Sequence, residues 1–165
     1  MPKLLLLGGP TGVGKSTTLS LLAARLSNTA VLDADDVWRI SPDLAIDGTR
    51  GIAIANVVAV MRGYAEANRG LGILTWVFAK PELYEPVIAG LRDSFESIHQ
   101  LYMVASPEKL ELRLTERGHA DRLEYSITRL RLIEKLPYPK IDTTNLTPAE
   151  ASDRILGHIR SSGIR

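Results

Sequence analysis

The sequence predicts a three-layer α/β/α domain around a five-stranded parallel sheet. Three observations carry that expectation. Residues 9–16 read Gly-Pro-Thr-Gly-Val-Gly-Lys-Ser, the spacing G-x-x-x-x-G-K-[ST] of a phosphate-binding loop, set between an apolar run and a helical pattern. Five short apolar runs alternate along the chain with segments of helical periodicity. The 165 residues suit one domain with a sizeable core, and no repeat, low-complexity stretch or linker divides them.

Composition narrows the function classes. A net charge of +1 gives no bulk attraction to nucleic acid or a membrane surface. Cysteine is absent, which excludes disulfides and thiolate metal sites and fits a cytoplasmic location. The run Leu4-Leu5-Leu6-Leu7 is too short for a membrane span or a secretory leader. A small-molecule partner is expected, and the oligomeric state is left open.

The elements follow in order. Lys3 to Gly8 reads as a buried strand, and Thr17 to Leu26 as a helix. Between them, the glycines let the backbone approach a ligand closely, so that successive N–H groups form an anion nest at a helix N-terminus. Gly9, Thr11, Gly12, Val13, Gly14, Lys15, Ser16 and Thr17 are the expected nucleotide contacts. Lys15 would reach the outer phosphates, and the Ser16 hydroxyl would sit on Mg²⁺.

Ala30-Val31-Leu32 is a second strand, running into Asp33-Ala34-Asp35-Asp36. Carboxylates at the C-terminal end of a parallel strand face the crevice where open α/β sheets bind ligands. One can hold magnesium and another can take the proton of an attacking hydroxyl. The same residues also suit a helix N-cap and an acidic first turn. Function is favoured for Asp33 and Asp35, and capping or solvent for Asp36.

Residues 41–51, with Pro42, Gly48 and Gly51, read as irregular, and a helix is expected from Ile52 to Asn68, closed by Arg69-Gly70. Arg39, Arg50 and Arg62 are either solvated surface arginines or forks for an anionic group of the substrate, with Arg39 and Arg50 the chosen candidates. Gly72 to Ala79 is a nearly continuous apolar run and reads as a central strand. No acid follows it before Glu82, and Trp76 and Phe78 either line a substrate pocket or pack in the core.

Pro81 to Phe95 is an expected helix, and Leu101 to Val104 centres the fourth strand. Ser106-Pro107-Glu108 opens the next helix. That helix runs into Arg113, Arg117 and Arg122 around a break at Gly118. An arginine-bearing segment of this kind can close over phosphates and exclude water. Leu123 to Leu136 is a further helix, Lys140 to Thr143 the last strand, and Thr147-Pro148-Ala149-Glu150 a capping box that starts the final helix.

Taken together, the loop at Gly9–Ser16, the Asp33-x-Asp35 pair, the Arg113–Arg122 segment and the Ile141–Pro148 ending resemble small P-loop kinases of the nucleotide, shikimate and gluconate type. The resemblance spans nearly the whole chain. It implies strand order 2-3-1-4-5, a short lid at about 113–125, and ATP and Mg²⁺ as cofactors. It places Asp33 near magnesium and Asp35 at the acceptor hydroxyl. Arg117 becomes the lid arginine on the phosphates, and Arg113 and the 145–148 loop lie where such kinases hold adenine. The Gly-rich stretch that shikimate members carry after strand three is replaced by Trp76 to Pro81, which argues against shikimate itself.

The function expected is transfer of the γ-phosphoryl group to a hydroxyl of a small polar metabolite, such as a sugar acid, a shikimate-like acid or an antibiotic. A nucleoside or nucleoside monophosphate acceptor is the first alternative, and an ATP-binding module without transfer the second. An N-K-x-D sequence for guanine is absent.

Overall fold

The computed structural model describes residues 1–39, 46–67 and 70–164. Strands β1 (Lys3–Gly8), β2 (Thr29–Asp33), β3 (Leu71–Thr75), β4 (Ser97–Val104) and β5 (Lys140–Asp142) form one sheet in the order β2-β3-β1-β4-β5. Every pairing is parallel, as expected. The helices are α1 (Lys15–Arg25), α2 (Ile46–Glu66), α3 (Pro81–Leu91), α4 (Pro107–Glu116), α5 (Leu123–Glu134) and α6 (Pro148–Ser161).

Both sheet faces are covered, so the central strand β1 is apolar throughout rather than alternating. Leu5 and Leu7 point to one side, into a core with Leu19 and Leu22 of α1 and Ile155 and Ile159 of α6. Leu4 and Leu6 point to the other side, against Val57 and Met61 of α2 and Val87 and Leu91 of α3. This sandwich fixes the C-terminal ends of β1, β2 and β3 side by side, and everything that follows is built on that edge.

Several boundaries differ from the sequence expectation. β3 stops at Thr75 instead of running to Ala79, because Phe78 takes a left-handed backbone (φ 47°) that no strand accommodates. Trp76 to Ala79 is apolar because it packs and lines the sheet edge, not because it is strand. Helix α2 begins at Ile46, so Gly48 and Gly51 lie inside it. Thr49 is buried and accepts a hydrogen bond from the Trp38 indole at 3.0 Å, a tertiary anchor that offsets the weak helix propensity of two glycines. Helix α3 ends at Leu91, short of Phe95. The first part of the irregular stretch expected at 41–51, with Pro42, and the helix end at Asn68-Arg69 lie outside the described residues. At the other end of the chain, the Thr147–Glu150 capping box forms as expected, with both reciprocal bonds present.

Candidate active site

Strand β1 ends in Gly8 and the chain turns through the loop into α1. A Cβ at Gly9 would lie 2.8 Å from the Met103 carbonyl oxygen, so the loop is seated directly on β4. Gly14 caps α1 in the left-handed region (φ 107°), and no side chain caps the helix. The N–H groups of its first turn are therefore directed at the cleft, and the helix dipole adds partial positive charge there.

Lys15 folds back over this loop. Its Nζ donates to the Gly9 carbonyl at 2.8 Å and to the Pro10 carbonyl at 3.0 Å. Burial pulls its pKa down to about 8, against the opposing pull of the Asp35 and Asp33 carboxylates. A carbonyl dipole is a poor substitute for a full negative charge, so this ammonium is set to exchange those partners for an anion.

The Ser16 hydroxyl donates to Asp33 Oδ2 at 2.6 Å. The other oxygen of Asp33 accepts the Asp35 backbone N–H at 3.2 Å and caps the 3-10 turn at Ala34–Val37. Asp33 thus caps the turn, as the sequence allowed, and contacts Ser16 with its other oxygen. Across the sheet its register partner is Thr75, which in turn faces Leu7 of β1. Thr75 and Asp33 lie two residues beyond Ile73 and Val31, whose side chains pack on the α1 side, so both point towards α1. The Thr75 hydroxyl is fully buried and has no hydrogen-bond partner among the described residues. Where β3 ends in Thr75, the adjacent strand β2 ends in the carboxylate of Asp33.

Whether these residues suit Mg²⁺ can be judged from the donor set. Among the described residues no group of three or more His, Cys, Asp or Glu forms a metal cage. One hydroxyl and one carboxylate in contact, beside a loop that binds phosphates, is the set magnesium uses when it keeps waters and shares phosphate oxygens. Ser16 and Asp33 fit the ion on those terms.

Three cavities touch the loop; one, of about 600 Å³, lies at Ser16, Asp33 and Asp35, and two more lie along the loop. The first of those two, of about 280 Å³, is lined by Val13, Gly14, Thr17, Arg113, Arg117 and the Leu146–Pro148 turn, among others. Arg113 is largely committed to the protein: it donates to the Val13 carbonyl at 3.1 Å, to Thr143 Oγ1 at 3.2 Å and to the Thr143 carbonyl at 2.8 Å. It forms a wall of the cavity by bolting α4 and the end of β5 to the loop. Arg117, the C-cap of α4, is exposed at the rim.

The second cavity, of about 290 Å³, is lined by Thr11, Asp35, Trp38, Trp76, Val77, Asp121, Arg122 and Tyr125. Burial and the neighbouring Asp33 charge raise the pKa of the Asp35 carboxyl, and Lys15 and Arg122 pull it partly back. A carboxylate strengthened as a base stands beside the loop, on the side away from the first cavity.

The fold is that of the small P-loop kinases. The chain is similar to the tunicamycin resistance protein of Deinococcus radiodurans (TM-score 0.71, 20% identity, 96% of each chain covered). A gluconokinase from Sinorhizobium meliloti (0.67, 14%, 98% of this chain and 97% of that one) and the shikimate kinase of Aquifex aeolicus (0.65, 17%, 98% of each) are similar in the same way. No protein-family model matches the sequence. No curated protein sequence matches it either.

Within this P-loop kinase fold, the expected site residues divide. Lys15, Ser16, Asp33 and Asp35 converge on one edge, with Thr11 beside Asp35 and with Val13, Gly14, Thr17, Arg113 and Arg117 around the first cavity. Arg39 does not join them. Its side chain is 80% exposed and pairs with Asp36 at 3.1 Å, one turn back. Arg50 is half-buried on α2 and lines neither cavity. Arg62 donates to the Gly90 carbonyl and ties α2 to α3.

The residues missed by sequence reasoning are Trp38, Asp121 and Tyr125, and Arg122 is better placed than Arg117 to meet the second cavity. Trp76 lines that cavity, whereas Phe78 is fully buried in the core. No helix of the described residues is long and apolar enough to cross a membrane.

Proposed function

We propose that the protein is an ATP- and Mg²⁺-dependent phosphotransferase that moves the γ-phosphoryl group to a hydroxyl of a small molecule. The observation that carries this reading is the position of Asp35, which lines a separate cavity together with Thr11 of the phosphate loop. A nucleotide with its base in the first cavity would present its outer phosphate across the loop towards that carboxylate. The neighbours of similar fold include kinases of gluconate and shikimate, which supports the reaction type and leaves the acceptor open.

Lys15 and the N–H groups at the head of α1 hold the outer phosphates. Ser16 and Asp33 would hold Mg²⁺, which would neutralise phosphate charge. Asp35 orients the acceptor hydroxyl and takes its proton. The acceptor oxygen bonds to the γ-phosphorus as the bond from that phosphorus to the bridging oxygen breaks, and the electron pair leaves on ADP. Arg117 and Arg122, carried on the segment after α4, contribute positive charge from above. Positioning and charge do most of this work.

A module that binds ATP without transferring it is the competing reading, favoured by Thr75 where an acid is common. The Ser16–Asp33 contact weighs against it, since the carboxylate is present from the neighbouring strand. Acceptor-dependent ADP formation decides between them. Asp35→Asn is expected to lower kcat by about 10²–10⁴-fold, the range for losing a general base, with the KM for ATP unchanged. Equal turnover in that variant removes Asp35 from the role.

A further inference from the structure

Resting on that kinase reading, we infer that the acceptor is an uncharged, ring-bearing alcohol, and that the second cavity rejects carboxylate- and phosphate-bearing acceptors. Two independent features of its walls lead there.

The first is the aromatic wall. Trp38 meets Trp76 edge-on, with ring centroids 5.8 Å apart and planes at 81°, and Trp76 meets Phe78 at 5.9 Å and 80°. Trp76 is 4% exposed and is held by its neighbours on both sides. The indole N–H of Trp38 is already used on Thr49, so the part of the ring left to the cavity is apolar. Opposite, Tyr125 is backed by the Arg129 guanidinium, 4.4 Å from the ring centroid. Such faces reward a flat ligand by stacking, whichever ring it carries.

The second is the charge balance. Among the described lining residues, Asp35 and Asp121 face a single cation, Arg122. The walls therefore carry one excess negative charge, before any phosphate arrives on the other side of Thr11. Lys15 is engaged with the loop carbonyls, and Arg39 is turned to solvent with Asp36. A sugar acid or a nucleoside monophosphate would bring a further anion to described walls where one cation, Arg122, already stands against two carboxylates. A neutral hydroxyl needs only the Asp35 carboxylate.

The test exploits composition. The chain has 2 tryptophans, and both line this cavity, so intrinsic tryptophan emission reads the cavity without turnover. With Mg²⁺ and a non-hydrolysable ATP analogue bound, emission is titrated with matched probes: thymidine against thymidine monophosphate, phenethyl alcohol against mandelate, and sorbitol against gluconate. The two neutral ring alcohols are expected to saturate the signal, their anionic partners to bind at least about tenfold more weakly, and the ringless pair to leave it unchanged. Trp38→Ala, read on the remaining Trp76, is expected to weaken thymidine about tenfold or more, in line with a lost stacking contact. Asp121→Lys, an exposed position that the core does not need, is expected to recover binding of the monophosphate.

Gluconate or thymidine monophosphate binding as well as thymidine overturns the inference. So does an emission that no neutral ring alcohol moves. Failure of the kinase reading looks different: the ring alcohols bind, yet draw no ADP from ATP.

Discussion

Lys15 gives the sharpest test of the phosphate site, because the structure predicts that its charge weakens the protein that it serves. In the unfolded chain a lysine titrates at 10.5, and in the folded chain burial brings Lys15 down to about 8. Between those values the unfolded state holds a proton that the folded state has released. Stability therefore rises with pH across that window, and below pH 8 the full penalty is present. The gap corresponds to about 3 kcal/mol at 1.36 kcal/mol per unit, and solvent at the cleft mouth reduces it to about 2 kcal/mol.

Lys15→Met keeps the length of the stem and removes the charge. It also strips a donor from the Gly9 and Pro10 carbonyls, costing about 1 kcal/mol. The net expectation at pH 7 is a variant about 1 kcal/mol more stable than the parent, or about 2–4 °C in Tm for a domain of this size. The assay is urea unfolding of both proteins from pH 7 to pH 10, taking their difference so that other titrating groups cancel. The parent should gain about 2 kcal/mol on the variant across the range. A pH-independent difference, or a variant markedly less stable at pH 7, refutes the reasoning. The same shift predicts that binding of an Mg²⁺–ATP analogue at pH 9 takes up a proton, visible in calorimetry as a heat that depends on the buffer. Lys15→Met should abolish that uptake.

Three further outcomes follow from the geometry. Gly12→Ala places a Cβ 2.9 Å from Leu114 Cγ at a φ of 84°, and should destabilise the protein by about 2–4 kcal/mol in thermal unfolding, from left-handed strain plus overpacking. Asp33→Asn preserves the cap on the 3-10 turn but not the charge beside Ser16, and should raise the Mg²⁺ concentration for half-maximal rate about tenfold or more with little change in Tm. Asp35 already titrates above an ordinary aspartate, and Arg122 holds it partly down, so in Arg122→Gln the acid limb of kcat/KM should move to still higher pH; an unmoved limb would detach the two residues.

How much was readable in the chain depended on whether the signal was local. The phosphate loop, the Asp33-x-Asp35 pair and the Thr147–Glu150 capping box are spelled by neighbouring residues, and each is present as expected. The apolar run through Ala79 misled because burial, not strand geometry, keeps Trp76 and Phe78 apolar, and the left-handed Phe78 leaves no hydrophobicity signal. Helix α2 starts early because Trp38 reaches across to Thr49, a contact invisible to propensity. The sequence leaves Arg39 open between a surface arginine and a substrate fork, and its pairing with Asp36 three residues back is the surface arrangement. The aromatic cavity was illegible because Trp38, Trp76 and Tyr125 come from three distant segments that meet only in the folded chain.

The loop at residues 9–16 is held on both flanks by side chains from the same stretch of chain. Arg113 of α4 grips the Val13 carbonyl, and Ser126 of α5 donates to the Thr11 carbonyl at 2.7 Å. Between these two grips lies the segment with Arg117 and Arg122, and one residue before Ser126 stands Tyr125, a wall of the second cavity. On the proposed assignment, nucleotide in one cavity and acceptor in the other would press on a common, doubly tethered partition. A shift of that partition by either ligand would reach the other's walls, and thermodynamic reciprocity would make the effect on affinity equal in both directions. Affinity for the acceptor measured without nucleotide would then differ from affinity measured with it.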